Sequence, residues 1–112
     1  MKLRQIVEAL SLTVEAGRSN LDAEVTGGYA ADLLSCAMAG AHQGDVWVTL
    51  QGHLNVVAIA SLTELAGVIV TENKPVAPEA LARAEEEGIP VLSTPLTTFA
   101  VVGHLWEMGV RV

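Results

Sequence analysis

Apolar positions along the chain recur with two periods, and stretches of each period alternate. Leu3, Ile6, Val7 and Leu10 fall at helical spacing and predict a small amphipathic helix over 2–10. "LTVEAG" (12–17) predicts a brief strand closed by Gly17, and the polar "RSNLDA" (18–23) a loop. "EVT" (24–26) predicts a short strand leading into the pair Gly27-Gly28. A helix is expected over 30–42, carrying Leu33, Leu34, Ala37, Met38 and Ala41. The β-branched run "DVWVTL" (45–50) predicts a strand, followed by a turn at Gln51-Gly52 and a helix from about 53 to 62. "GVIVTE" (67–72) is a continuous apolar run, as a strand covered on both faces should be. Pro78 and Gly88 bracket a helix, because proline suits the first helical position and glycine the position just past the end. "IPVLST" (89–94) predicts a last strand, and 96–109 a closing helix.

From residue 45 onward the order is β-α-β-α-β-α with short connections. That order predicts parallel strands joined by right-handed crossovers, with helices on both faces of the sheet. The expected fold class is α/β: a small three-layer α/β/α domain with a mainly parallel sheet. One domain accounts for residues 1–112, with no internal repeat, low-complexity tract or linker. The order of the strands and the directions of the first two stay open at this level.

Composition narrows the core and the partners. Half of the residues are apolar but only four are aromatic, so Val, Leu, Ile and Ala must build the interior. A chain of this size buries about 65% of its unfolded surface. The net charge is −7, and the six basic residues are scattered, which excludes a clustered phosphate-backbone interface and hence a nucleic-acid partner. The longest apolar runs, such as "LNVVAIASL", are about half of the ~20 residues that cross a bilayer. "MKLRQIVEAL" carries Glu8 and lacks a long apolar segment, so it does not read as a secretory signal. The single cysteine, Cys36, excludes an internal disulfide and fits a reducing cytoplasm.

In open parallel sheets, ligands sit at the carboxyl ends of the strands. That rule gathers Thr49, Gln51, His53 and Asn55 after the third strand, and Thr71, Glu72 and Asn73 after the fourth. Ser93, Thr94, Thr97 and Thr98 follow the fifth. Thr26, Gly27 and Gly28 join this rim if their strand runs parallel to the others. Such a rim, nearly free of charge, suits a small polar ligand or an anion held by helix N-termini. The same residue types are ordinary helix caps, and Thr94 or Thr97 has that role available at the last helix.

Specific chemistries are poorly served. Gly27-Gly28 is not a Walker loop, since no lysine lies between Lys2 and Lys74. "TGGYAAD" also lacks the third spaced glycine of a dinucleotide fingerprint. A tight turn with positive φ is the expected role of the pair, anion contact by its N–H groups the alternative. His42, His53 and His104 share no metal-ligand spacing, so neither a metal nor another cofactor is expected. His42 is expected at a helix C-terminus, and Cys36 as a small core hydrophobe. "AEEEG" reads as a solvated helix end, supported by i, i+4 pairing of Arg83 with Glu79 and Glu87. In the last helix Phe99, Val102, Gly103 and Trp106 form one stripe, which either packs in the core or makes a dimer contact.

With these residues in view, the chain resembles the DRTGG domain family, named for Asp-Arg-Thr-Gly-Gly. The corresponding segment is Glu24-Val25-Thr26-Gly27-Gly28, and the resemblance extends through "VWVTLQGHLNVVAIASLTELAGVIVTE" and "AEEEGIPVLSTPLTTFAVVGHLWEMG". It implies a fold like the N-terminal, non-catalytic domain of HPr kinase/phosphorylase. Similar domains accompany phosphotransacetylases, and lie between CBS domains in some pyrophosphatases controlled by adenine nucleotides. Val25 and Glu24 replace the family's arginine and aspartate, so no anion contact by that arginine carries over. The resemblance implies a non-enzymatic regulatory module that forms a homodimer and binds a small phosphorylated metabolite or an adenine nucleotide. The alternative is a pure protein–protein interaction domain without ligand. For a phosphotransfer enzyme, the least favoured reading, the candidates are His53 with Ser93 or Thr94.

Overall fold

The computed structural model describes residues 1–112. The helices are α1 (Leu3–Leu10), α2 (Leu34–Gly40), α3 (Leu54–Leu62), α4 (Pro78–Glu87) and α5 (Thr98–Met108). The strands are β1 (Thr13–Ala16), β2 (Gly27–Ala30), β3 (Asp45–Thr49), β4 (Gly67–Val70) and β5 (Val91–Ser93). They form one sheet in the order β1-β5-β4-β3-β2. Strands β2 to β5 are mutually parallel, and β1 pairs antiparallel with β5 at one margin. The β/α alternation from residue 45 thus yields the parallel core that its short connections predict.

Alternation along the central strands explains why both faces are covered. Trp47, Val68, Val70 and Val91 point into a cluster with Ala37 of α2, Val56, Val57 and Ala60 of α3, and Ala80 and Ala84 of α4. Val46, Val48, Ile69 and Leu92 point the other way, against Leu3 and Ile6 of α1 and Val101 and Leu105 of α5. Successive strand residues face opposite sides, so a strand sandwiched between helix layers reads as an unbroken apolar run. Leu3 and Ile6 are fully buried, and each contributes roughly 1.5–3 kcal/mol of burial free energy. This is the expected three-layer α/β/α arrangement.

Local signals place the ends of α4 as expected: Pro78 starts it, and Gly88 closes it at φ 70°. The segment around the glycine pair differs. No turn with positive φ occurs at Gly27 or Gly28, which instead open β2. The strand is not "EVT" but Gly27–Ala30, in register with Asp45–Val48. Because β2 runs to Ala30, the helix expected over 30–42 shrinks to Leu34–Gly40. The intervening Ala31 carbonyl accepts the Trp47 indole N–H at 2.9 Å, which holds the chain extended there. Leu33, which precedes the helix as its N-cap, and Met38 within it are both exposed. Cys36 is exposed as well, contrary to a core role: in this short helix Ala37 is buried and Leu34 packs partly against the core, while Cys36 faces away.

Candidate functional site

The parallel direction of β2 splits the candidate residues between two edges. Gly27 pairs with Asp45, the first residue of β3, so Thr26, Gly27 and Gly28 lie at the amino edge. Thr49, Gln51, His53, Asn55, Thr71, Ser93, Thr94 and Thr97 lie at or beyond the carboxyl ends of β3, β4 and β5. The two groups do not meet.

At the carboxyl edge, hydroxyl groups tie the loops together. The Thr49 hydroxyl donates to Asp32 Oδ1 at 3.1 Å, and the Leu50 N–H reaches the same oxygen at 2.8 Å. Gln51 Nε2 donates to the Asp32 carbonyl at 2.6 Å. Thr71 is fully buried, with its hydroxyl 2.6 Å from that of Thr98. Glu72 and Asn73 both adopt left-handed backbone, at φ 57° and 58°. Their N–H groups donate to the Leu96 and Thr94 carbonyls, at 2.8 and 3.0 Å, which locks the loop after β4 onto the loop after β5. The Glu72 carboxylate accepts from Thr98 N–H at 3.2 Å. Thr94 is buried and its hydroxyl accepts from Leu96 N–H. Thr97 caps α5 by accepting from Ala100 N–H at 3.1 Å. Ser93 turns aside, donating to Glu15 on β1 at 3.0 Å. His53 precedes α3 without a side-chain cap bond; both it and Asn55 are exposed.

This edge is therefore not free of charge: it carries the carboxylates of Asp32 and Glu72. Asp32 has no place in the rim when residue 32 is assigned to a helix, and only β2 ending at Ala30 brings it beside Thr49. The one cavity nearby, between Gln51, His53, Val56 and Val76, measures about 10 Å³, at most the room for one water. His53 follows β3 while Ser93 lies on β5, two strand spacings or about 10 Å across the sheet, so the pair has no support as a catalytic dyad.

The amino edge is roomier. The turn 42–45 closes with Asp45 N–H donating to the His42 carbonyl at 3.0 Å, and His42 N–H to Asp45 Oδ2 at 2.8 Å. Thr26 N–H bonds the Gly44 carbonyl at 3.0 Å. Here Gly27 answers a spatial need, since a Cβ on it would stand 2.6 Å from Asp45 Oδ1. A cavity of about 460 Å³ opens between Thr26–Tyr29, the His42–Asp45 turn and Arg111. His42 sits just past α2, near the helix C-terminus as expected. Val25, where the family name has arginine, is a buried core residue packed with α1 and β3.

The third feature is apolar and faces outward. In α5 the buried stripe is Val101 and Leu105, while Phe99 is 90% exposed, Trp106 54% and Val102 38%. Core packing therefore fails for the Phe99–Trp106 stripe, and nothing lies within 4 Å of where Gly103 would carry a Cβ. Between α5 and the outer strand β2 runs a groove of about 150 Å³, lined by Tyr29, Val48, Val102, Leu105 and Trp106 among others. Arg111 stacks over the Trp106 ring at 4.2 Å and donates to the Trp106 carbonyl. No group of three or more His, Cys, Asp or Glu side chains is placed to hold a metal ion. No helix is long and apolar enough to cross a membrane.

The family described as the DRTGG domain matches residues 5–108. Among solved structures, the chain is similar to the CBS and DRTGG domains of the regulatory region of a Clostridium perfringens pyrophosphatase, complexed with its activator, diadenosine tetraphosphate. The TM-score is 0.73 at 18% identity, over 91% of this chain. The chain spans 44% of that structure's length. At such low identity the likeness shows the shared fold. No curated protein sequence matches the chain.

Proposed function

The chain belongs to the DRTGG domain family, and from that premise we propose that it acts as a non-enzymatic regulatory module in the cytoplasm. In this reading it dimerises, and it senses a small phosphorylated metabolite or an adenine nucleotide. The observation that carries the reading is the outward apolar stripe of α5. Phe99, Val102 and Trp106 stand exposed on one helix face beside an apolar groove. Large apolar patches of this kind mark interfaces, because leaving them in water forgoes about 25 cal/mol per Å². The ligand half is supported by the regulatory region of the Clostridium perfringens relative, which was crystallised with an adenine nucleotide activator. We assign the ligand to the carboxyl edge, which carries Gln51, His53 and Asn55 around the start of α3 and Thr71, Thr94 and Thr97 after β4 and β5. The N-terminus of α3, which no side chain caps, offers N–H groups to an anion there. The single exposed thiol, Cys36, fits a reducing compartment.

Two measurements test the two halves separately. Sedimentation velocity is expected to show a dimer that Phe99→Ser with Trp106→Ser converts to monomer; a monomeric wild type refutes the assembly half. Isothermal titration with AMP, ATP and acetyl phosphate is expected to show binding that His53→Ala weakens. Absence of heat at millimolar ligand removes the ligand half. One observation favours a second reading, an interaction domain without ligand: the carboxyl edge is internally hydrogen-bonded and its cavity is only about 10 Å³. A dimer that gives no heat with any of the three ligands selects that reading.

A further inference from the structure

One glycine sits where the chain's own fold has no need of it. Gly103 lies in the middle of α5, exposed and without the positive φ of Gly109. Nothing stands within 4 Å of the place its Cβ would take. Inside a helix glycine is the least favoured residue after proline, and alanine would fit here without strain. Neither backbone conformation nor space within the chain accounts for it.

The surface around Gly103 is apolar and open. Phe99, Val102, Gly103 and Trp106 are three or four residues apart on one helix face, turned away from buried Val101 and Leu105. No charged side chain belongs to this stripe, on a chain whose net charge of −7 makes copies repel elsewhere. The stripe is also symmetric about the midpoint between Val102 and Gly103. Turned end for end, Phe99 falls on Trp106 and Val102 falls on Gly103.

We propose that α5 packs antiparallel on α5 of a second copy of this chain, about a two-fold axis between Val102 and Gly103. The inference rests on the dimer reading above and fixes how the two copies meet. Each Val102 seats in the notch left by the partner's Gly103, and each Phe99 ring packs beside the partner's Trp106. A two-fold contact uses one self-complementary patch, which this stripe supplies. A parallel pairing would set glycine against glycine and leave a void. Aromatic pairs contribute beyond the area they bury. Phe99 is 90% exposed and Trp106 54%, so the two rings offer roughly 300 Å² per copy. A standard interface takes about 800 Å² per partner, so the contact belongs to the weak, reversible class.

Sedimentation equilibrium from micromolar to millimolar chain measures Kd, and thermal unfolding of the dilute chain measures the monomer's stability. Gly103→Ala is expected to move the two in opposite directions. Helix propensity raises the Tm of the dilute monomer by about 4 °C. The added methyl group overpacks the seat of the partner's Val102, and weakens the dimer about tenfold. A glycine with no role in assembly would leave Kd unchanged. In a mixture of chains labelled separately at the single Phe and at Trp, NOEs are expected between Phe99 of one copy and the partner's Trp106. A wild type that stays monomeric at millimolar concentration removes the dimer reading, and this contact with it. A dimer whose Kd is unmoved by Gly103→Ala, or whose two rings show no NOE, overturns the antiparallel contact alone and leaves the dimer reading standing.

Discussion

Replacing Gly27 by alanine separates two explanations of the glycine pair. Backbone conformation does not forbid the change, because Gly27 has no positive φ. A Cβ would stand 2.6 Å from Asp45 Oδ1, closer than any real contact, and 3.4 Å from the Arg111 carbonyl. The short Asp45 side chain is 8% exposed and must swing away, which breaks its 2.8 Å bond from His42 N–H and loosens the turn before β3. A hydrogen bond to a charged acceptor is worth about 1.5–3 kcal/mol. Alanine returns about 0.4–1 kcal/mol by restricting the unfolded chain. The net expectation is a loss of about 1–2 kcal/mol, or roughly 5–10 °C in Tm for a domain of this size. Thermal and urea unfolding followed by circular dichroism measure it, in wild-type and Asp45→Ala backgrounds. With Asp45 truncated the obstruction is gone, so Gly27→Ala is expected to be neutral or stabilising there, giving a coupling of about 1.5 kcal/mol or more. Equal costs in both backgrounds would refute the spatial account and restore a conformational one.

Three further outcomes rest on the same structure. Thr71→Val removes a fully buried hydroxyl that bonds Thr98 Oγ1 at 2.6 Å, and should cost about 1–2 kcal/mol in urea unfolding while the spectrum stays native. Asp32→Ala deprives the Thr49 hydroxyl and Leu50 N–H of their common acceptor; about 1 kcal/mol is expected, with amide exchange rising first at Leu50 and Gln51. Glu87 is held below the usual glutamate range, first by its bond from Arg83 and then by that from the Ser61 hydroxyl. Because the folded value is the lower one, its contribution is complete above the ordinary value near 4.5 and fades as pH falls through the folded value. Glu87→Gln should therefore flatten the stability profile below about pH 5 and leave its shape at pH 7 and above unchanged.

Much of the architecture is legible in one dimension because it depends on neighbours in sequence. "GVIV" is apolar at every position, which only a strand covered on both faces needs, and β4 is such a strand. Pro78 and Gly88 mark the ends of α4 through backbone constraints local to each residue. Thr97 does cap α5, as its place before an apolar helical stripe allows. The family, too, was readable in Thr26-Gly27-Gly28 and the apolar blocks that follow it. What pairing across the sheet decides was not readable. Whether Gly27-Gly28 turns or extends depends on β3, fifteen or more residues away, and the parallel register with Asp45 and Val46 makes them the start of β2. That register moves the glycines to the amino edge, shortens α2, exposes Cys36 and brings Asp32 beside Thr49. The periodicity of the last helix marked the Phe99–Trp106 stripe as apolar, but only the packing of Val101 and Leu105 on the sheet determined that this stripe is left outside. Periodicity records which residues avoid water; a side chain's neighbours are set by contacts between segments that the period does not connect.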